Sequence, residues 1–239
     1  MIEHPRPAPT NDAELFARLR GIQPATLGHH VAGGALSPAL RAVVPVTRMV
    51  GRALTVRQPL PDSTPVFRAL EALRPGDVMV IDRQGDHYIA CVGEMVARAA
   101  YHAGAAGIVV DGVVTDIEEL RGIGLPVYAR GTNVITARMM DQPGGELFGA
   151  VNVGGTVVTS GDILFGDTNG VLRLSGHILE LYDLIARAVA DEEREVQWRK
   201  ILAEGRSLDQ LNRSWCVSTQ TAENVLASCR DETNFDSQK

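Results

Sequence analysis

An α/β fold built on a parallel sheet is the class this sequence predicts, and three features predict it. Val78–Asp82, Gly107–Asp111 and Pro126–Ala129 are short apolar runs of strand length. Glu94–His102 and Ile117–Arg121 lie between them with apolar residues at helical spacing. Strand, helix, strand, helix, strand at this separation suits crossover connections, whereas antiparallel neighbours need only a tight turn. The 239 residues suffice for one large domain with appendages and bury a core without disulfides or a structural metal.

The elements follow in order. Residues 1–10 are polar and Pro-rich and read as an arm. Thr10 or Asn11 is placed to cap a helix through about Leu19, with Glu14 positioned for a capping box. Ile22 to Arg41 reads as irregular. Val43–Val46 and Ala53–Val56 read as strands broken at Gly51. Pro59, Pro61 and Pro65 mark a loop, and Val66–Leu73 a short helix stopped by Arg74-Pro75-Gly76. After Val78–Asp82, a turn at Gln84-Gly85-Asp86 leads to His87–Cys91 as an antiparallel partner strand. Gly93 opens the helix Glu94–His102, with Gly104 at its C-terminal end. Gly149–Val158 and Gly161–Leu174 read as short strands joined by glycines. Ile178–Gly205 is a long helical stretch with a charged section, Asp191–Glu195, and Ser218–Ser228 a further helix before a frayed end.

Composition excludes several function classes. No apolar run approaches the roughly 20 residues needed to span a bilayer, and the first residues lack the apolar core of a signal peptide. The expectation is a cytoplasmic protein without a membrane role. A net charge of −6 with no basic cluster argues against nucleic acid as a partner. Cys91, Cys216 and Cys229 form no C-x-x-C and signal neither disulfides nor zinc; Cys91 sits in an apolar run and reads as core. The only lysines are Lys200 and Lys239, neither in a setting that desolvates an amine, so Schiff-base chemistry is not expected. The P-loop, G-x-G-x-x-G and G-x-S-x-G motifs are absent.

What chemistry remains gathers at two strand-to-helix junctions. In an open parallel sheet, ligands sit at the carboxyl ends of the strands. Gly93-Glu94-Met95-Val96 places a helix N-terminus there, whose free N–H groups favour an anion. Asp111-Gly112 ends the next strand and Asp116 starts the next helix, so Glu94, Asp111 and Asp116 are candidates for one crevice. Carboxylates in that setting suit a hard divalent ion that keeps most of its waters. The competing structural roles are equally concrete: Asp116 as the cap of its own helix and Asp111 as a brace for the Gly112 turn. His29-His30, His102, Asp162 and Asp167 read as loop, helix-end and turn residues, and Trp198 and Trp215 as packing or contact residues.

These residues resemble a known family. Gly93-Glu94-Met95-Val96-Ala97, Gly107–Gly112 and Thr115-Asp116 look like the RraA-like group. So do Pro75-Gly76-Asp77-Val78, Pro126–Gly131, Ser160-Gly161-Asp162 and Gly166–Val171, and the likeness runs from Val43 to Gly205. That group holds 4-hydroxy-4-methyl-2-oxoglutarate/4-carboxy-4-hydroxy-2-oxoadipate aldolases, oxaloacetate decarboxylases and regulators of ribonuclease E activity. The resemblance implies a layered α/β sandwich of the phosphohistidine-swivelling type. It makes residues 1–205 a single domain with an N-terminal arm and helix, and 206–239 a C-terminal extension.

It also implies an activity: a lyase cleaving a C–C bond of a 2-oxo acid, by retro-aldol reaction or decarboxylation, releasing pyruvate through a metal-stabilised enolate. The cofactor it implies is Mg²⁺ or Mn²⁺, held by Asp116. Glu94 serves as general acid/base through a water, the Met95 and Val96 amides receive the substrate carboxylate, and the assembly is a homotrimer or hexamer with sites between subunits. A glutamate from a neighbouring subunit's C-terminal helix completes the site, assigned to Glu195 with Glu192 and Glu193 as rivals. The aldolases bear an acidic residue, twenty intervening residues, then Arg-Asp. Here Glu94 is followed by twenty residues and then Thr115-Asp116. Thr115 supplies a hydroxyl and no charge, and loss of a preorganised cationic donor typically costs about 10²–10³ in rate. Arg98, Arg121 and Arg130 are the nearby substitutes. The alternatives are a non-catalytic regulatory protein of the same fold or a metal-dependent enzyme of altered substrate.

Overall fold

The computed structural model describes residues 1–44, 48–58, 61–175, 178–209 and 211. The helix expected at Ser218–Ser228, together with Cys216, Cys229 and Trp215, lies outside them.

The chain opens with β1 (Ile2–Glu3), then α1 (Ala13–Arg20), α2 (Pro24–Gly28), β2 (Arg41–Ala42) and β3 (Met49–Arg57). Next come α3 (Thr64–Ala72), β4 (Asp77–Asp82), α4 (Glu94–His102), β5 (Gly107–Asp111), β6 (Val113–Val114) and α5 (Ile117–Ile123). They are followed by β7 (Val127–Ala129), β8 (Gly131–Thr132), β9 (Glu146–Leu147), β10 (Val151–Val153) and β11 (Thr156–Val158). The hairpin β12 (Ile163–Asp167) and β13 (Gly170–Leu174) and the long helix α6 (Ile178–Ala203) complete the described fold. A first compact unit covers Met1–Val189 and a second begins at Ala190. No helix among the described residues is long and apolar enough to cross a membrane.

The large sheet runs β1-β9-β3-β4-β5-β7-β2, with β12 paired to β3, and β13 to β12, off that path. Its centre, β3-β4-β5-β7, is parallel, with Val80 beside Thr55 on one side and beside Val109 on the other. Alternation then sorts the side chains. Leu54, Val56, Met79, Ile81, Ile108 and Val110 face α3, α4 and α5 through Val66, Ala69, Val96, Ala97, Ala100 and Leu120. Ala53, Val78, Val80 and Val109 face the other way, toward Val151, Val153 and Leu164. A third cluster joins Leu15, Leu19 and Leu27 to Phe165, Leu172 and Ile185.

Four local readings need correction. β3 is continuous through Gly51, which is glycine because a Cβ there would lie 2.2 Å from the Gly76 carbonyl oxygen. The glycine marks a close backbone approach, not a break. His87–Cys91 forms no strand beside β4, whose edges are taken by β3 and β5; only Ala90 makes a bridge, to Thr136. The Asp86 carboxylate instead receives the Tyr88 N–H at 2.8 Å and pairs with buried Arg83, holding this segment as a loop. At α1 the N-cap is Asp12 and makes no side-chain cap, because its carboxylate is bound by Arg52 Nε and Nη2, each at 2.8 Å. That pairing holds the Asp12 carboxyl below its usual range. The region read as irregular contains α2, begun by Pro24 at its first turn.

Candidate active site

Parallel β4 and β5 end side by side, Asp82 against Asp111, and the chain leaves each toward the same edge of the sheet. From the β4 side the loop returns through buried Cys91 and Val92 to Gly93 and α4. Burial pushes the Cys91 thiol up to about 12, so it is an inert core residue. From the β5 side, Gly112 and β6 lead to Thr115, Asp116 and α5. The Thr115 N–H donates to the Val92 carbonyl at 3.0 Å and ties the two loops together.

Asp116 decides the geometry. It occupies the left-handed region, φ 56° and ψ 48°, which aspartate enters more readily than most residues. It stands at the N-cap of α5 but makes no side-chain cap there. Its Oδ2 instead accepts the Glu94 N–H at 2.9 Å, so the carboxylate caps the neighbouring helix α4. Its Oδ1 accepts the Thr115 hydroxyl at 3.1 Å. Gly93 is the residue that permits this: a Cβ would sit 2.4 Å from Asp116 Oδ2 and 2.8 Å from Thr115 Cγ2. The first intrahelical bond of α4 runs from the Ala97 N–H to the Gly93 carbonyl, 3.0 Å, so the Met95 and Val96 N–H groups precede the helical ladder and remain at its mouth. The Val96 side chain is buried in the core while that of Met95 is exposed.

Glu94 completes the cluster. One third of its side chain is exposed, and Oε1 accepts Arg98 Nε at 2.8 Å. The structure thus brings Glu94, Met95, Val96, Thr115 and Asp116 to one place. It takes Asp111 away from them. Asp111 alternates with Val110 and points to the opposite face of the sheet, where it pairs with Arg130 and accepts the Gly154 N–H at 2.7 Å. Arg130 is therefore engaged elsewhere, and Arg121 pairs with Glu118 at 2.9 Å on α5. Of the three arginines near Thr115, Arg98 alone contacts one of the clustered side chains. Glu195 lies on α6 in the second unit, where it accepts Arg199 at 2.9 Å. His102 closes α4, edge-on to Tyr101, and His29 follows α2.

No group of three His, Cys, Asp or Glu side chains able to hold a metal occurs among the described residues. With the Glu94 carboxylate paired to Arg98, the donor offered at this site is the Asp116 carboxylate, each oxygen retaining lone-pair capacity beyond the single hydrogen bond it accepts. That fits a hard ion such as Mg²⁺, which binds through one or two carboxylates and keeps its waters, and does not fit a closed protein cage. Sequence reading missed the role of Gly93, whose only signal was its place directly before the helix. It also missed the switch of Asp116 from its own helix to the next one, which spacing alone does not encode.

The family model for RraA-like proteins, described as aldolase/RraA, matches residues 25–173, more than half of the chain. The chain belongs to the RraA-like family. A candidate 4-hydroxy-4-methyl-2-oxoglutarate aldolase of Halalkalibacterium halodurans is 35% identical over 52% of this chain and 58% of its own length. An Arabidopsis thaliana protein with the same designation is 32% identical over 56% of this chain and 82% of its own. Among solved structures, Streptomyces coelicolor RraAS2, described as an unusual member of the RNase ES inhibitor RraA family, is 27% identical. It covers 81% of this chain and 99% of its own with a TM-score of 0.70. The RNA-processing inhibitor RraA from Thermus is 26% identical, covering 72% and 98%, at 0.57. The mixed α/β fold with its large sheet is that of RraA-family proteins.

Proposed function

We propose that this chain is a divalent-metal-dependent lyase that cleaves a C–C bond of a 2-oxo acid, by retro-aldol cleavage or decarboxylation, with release of pyruvate. The observation that carries the reading is the Asp116 carboxylate held against the N-terminus of α4, beside the Met95 and Val96 N–H groups. An acidic ligand and an anion-binding helix mouth stand side by side, which suits a 2-oxo acid. The aldolase designations of the two relatives support the same chemistry.

In this reading Asp116 holds Mg²⁺ or Mn²⁺, and the ion when bound polarises the 2-oxo group as a Lewis acid. The Met95 and Val96 amides and the α4 dipole take the substrate carboxylate. The Thr115 hydroxyl fixes the rotation of the Asp116 carboxylate. Glu94, steered by Arg98, positions a water and moves the proton as general acid/base. Glu195 of a neighbouring subunit, in a homotrimer or hexamer of swivelling-domain architecture, closes the site. The acidic balance of −6 supports a small-molecule substrate over nucleic acid, and a cytoplasmic setting goes with it.

A second reading is a regulatory protein without catalysis. It is favoured by the uncharged Thr115 and by the inhibitor descriptions of the solved relatives. Incubation of the metal-loaded protein with a panel of 2-oxo acids separates the two. Pyruvate from any of them establishes the lyase, and none from a folded, metal-binding protein overturns it and leaves the regulator or an enzyme of altered substrate.

A further inference from the structure

At the opposite edge of the sheet from Asp116 the first unit forms an open cleft that no residue of the candidate site lines. It lies where β3 and β4 begin, with Arg52 beside Asp77 in register. The five steps of β4 from Asp77 to Asp82, about 17 Å at 3.3 Å each, separate this edge from the carboxyl one. The cavity holds about 430 Å³, inside the range of about 300–1,000 Å³ usual for small-molecule sites. One wall is the arm from Arg6 to Ala13 with Phe16 behind it, and the other is the turn Arg74–Gly76.

Its charge is not balanced. Arg6, Arg52 and Arg74 line it against two carboxylates, Asp12 and Asp77. Arg52 is bound to Asp12 through both Nε and Nη2, and Arg6 to Asp77. Arg74 donates Nη1 to the Pro7 carbonyl at 3.1 Å and pairs with no carboxylate among the described residues. One lining arginine therefore keeps guanidinium donors to spare, and much of the remaining wall is apolar: Pro9, Ala13, Phe16, Ala53 and Pro75. A single unbalanced cation selects a single negative charge, a planar guanidinium suits a carboxylate, and apolar walls suit an apolar body.

We propose that this cavity binds a small organic monocarboxylate, its carboxylate on Arg74 and its apolar body against Phe16 and Pro75. Because the arm forms one wall, occupancy also stabilises the docked arm.

The probe is benzoate, with benzamide as the uncharged match, titrated into the full-length protein at constant ionic strength by calorimetry and thermal denaturation. Benzoate binds saturably and raises Tm, benzamide binds at least tenfold more weakly, and Arg74→Ala weakens benzoate at least tenfold. Asp116→Ala binds benzoate as the wild type does, and the dependence on Arg74, which lies outside the Asp116 cluster, separates this cavity from the candidate active site. Absence of saturable benzoate binding by the folded protein overturns the proposal. So do equal affinity for benzamide, unchanged affinity in Arg74→Ala, or loss of binding in Asp116→Ala.

Discussion

Replacing Gly93 by alanine adds one methyl group and tests the geometry of the site. The new Cβ lies 2.4 Å from Asp116 Oδ2, and ordinary contact begins at 3.4 Å, so the carboxylate must retreat by about 1 Å. The Thr115 side chain, 2.8 Å from the same Cβ, blocks part of that retreat. The move breaks the 2.9 Å bond from the Glu94 N–H, a loss of about 1 kcal/mol. Overpacking adds about 1–2 kcal/mol, giving a destabilisation of about 2–3 kcal/mol. The larger effect falls on turnover, since a misplacement of about 1 Å in a positioned group costs on the order of 10²-fold. The assay is pyruvate release coupled to lactate dehydrogenase, with urea unfolding run in parallel. A folded Gly93→Ala protein that turns over at the wild-type rate refutes the placement of Asp116 against α4.

Three further outcomes follow from other parts of the molecule. Thr115→Val keeps the shape and removes the 3.1 Å hydroxyl contact to Asp116, so turnover falls about fivefold with stability changed by less than about 1 kcal/mol; a drop beyond 10²-fold points to a catalytic rather than an orienting hydroxyl. Asp62 is buried, which raises its pKa, but the Thr64 hydroxyl and the N–H groups of Thr64, Met140 and Gln142 outweigh burial and bring it to about 2. Its folded pKa is below the unfolded value of 3.8, so its stabilisation, about 2 kcal/mol, is present above pH 4 and fades as pH falls toward 2. Asp62→Ala therefore loses about that much in urea unfolding at pH 7 and about half as much at pH 3; an equal loss at both values contradicts the assignment. Gly51→Ala forces its Cβ onto the Gly76 carbonyl, and unfolding midpoints that match the wild type contradict the close approach drawn there.

Much of the fold was legible because period and burial agree. Val78–Ile81 and Gly107–Val110 are apolar at every position, as strands covered on both faces must be, and α4 carries its small residues on one side. The failures share a cause. His87–Cys91 looked like a strand beside β4 because sequence shows a turn but not that β3 and β5 already fill both edges. Gly51 looked like a break because a glycine demanded by a passing carbonyl is indistinguishable in sequence from one that ends a strand. The site divides in the same way. Glu94, Met95, Val96, Thr115 and Asp116 were readable as two junctions on one edge of a parallel sheet. Which carboxylates meet was not: Asp111 turns away by alternation, and Asp116 leaves its own helix for α4 through a left-handed backbone that only the assembled loops impose.

The central claim is that Asp116 carries a metal-dependent lyase, and one comparison tests it directly. Pyruvate release from oxaloacetate and from 4-hydroxy-4-methyl-2-oxoglutarate is measured with Mg²⁺ or Mn²⁺ and again with a chelator, for the wild type and for Asp116→Ala. The account predicts release by the wild type that needs the metal, stops with the chelator, and is absent in a folded Asp116→Ala protein. Release that persists in Asp116→Ala, or that the chelator leaves unchanged, contradicts it.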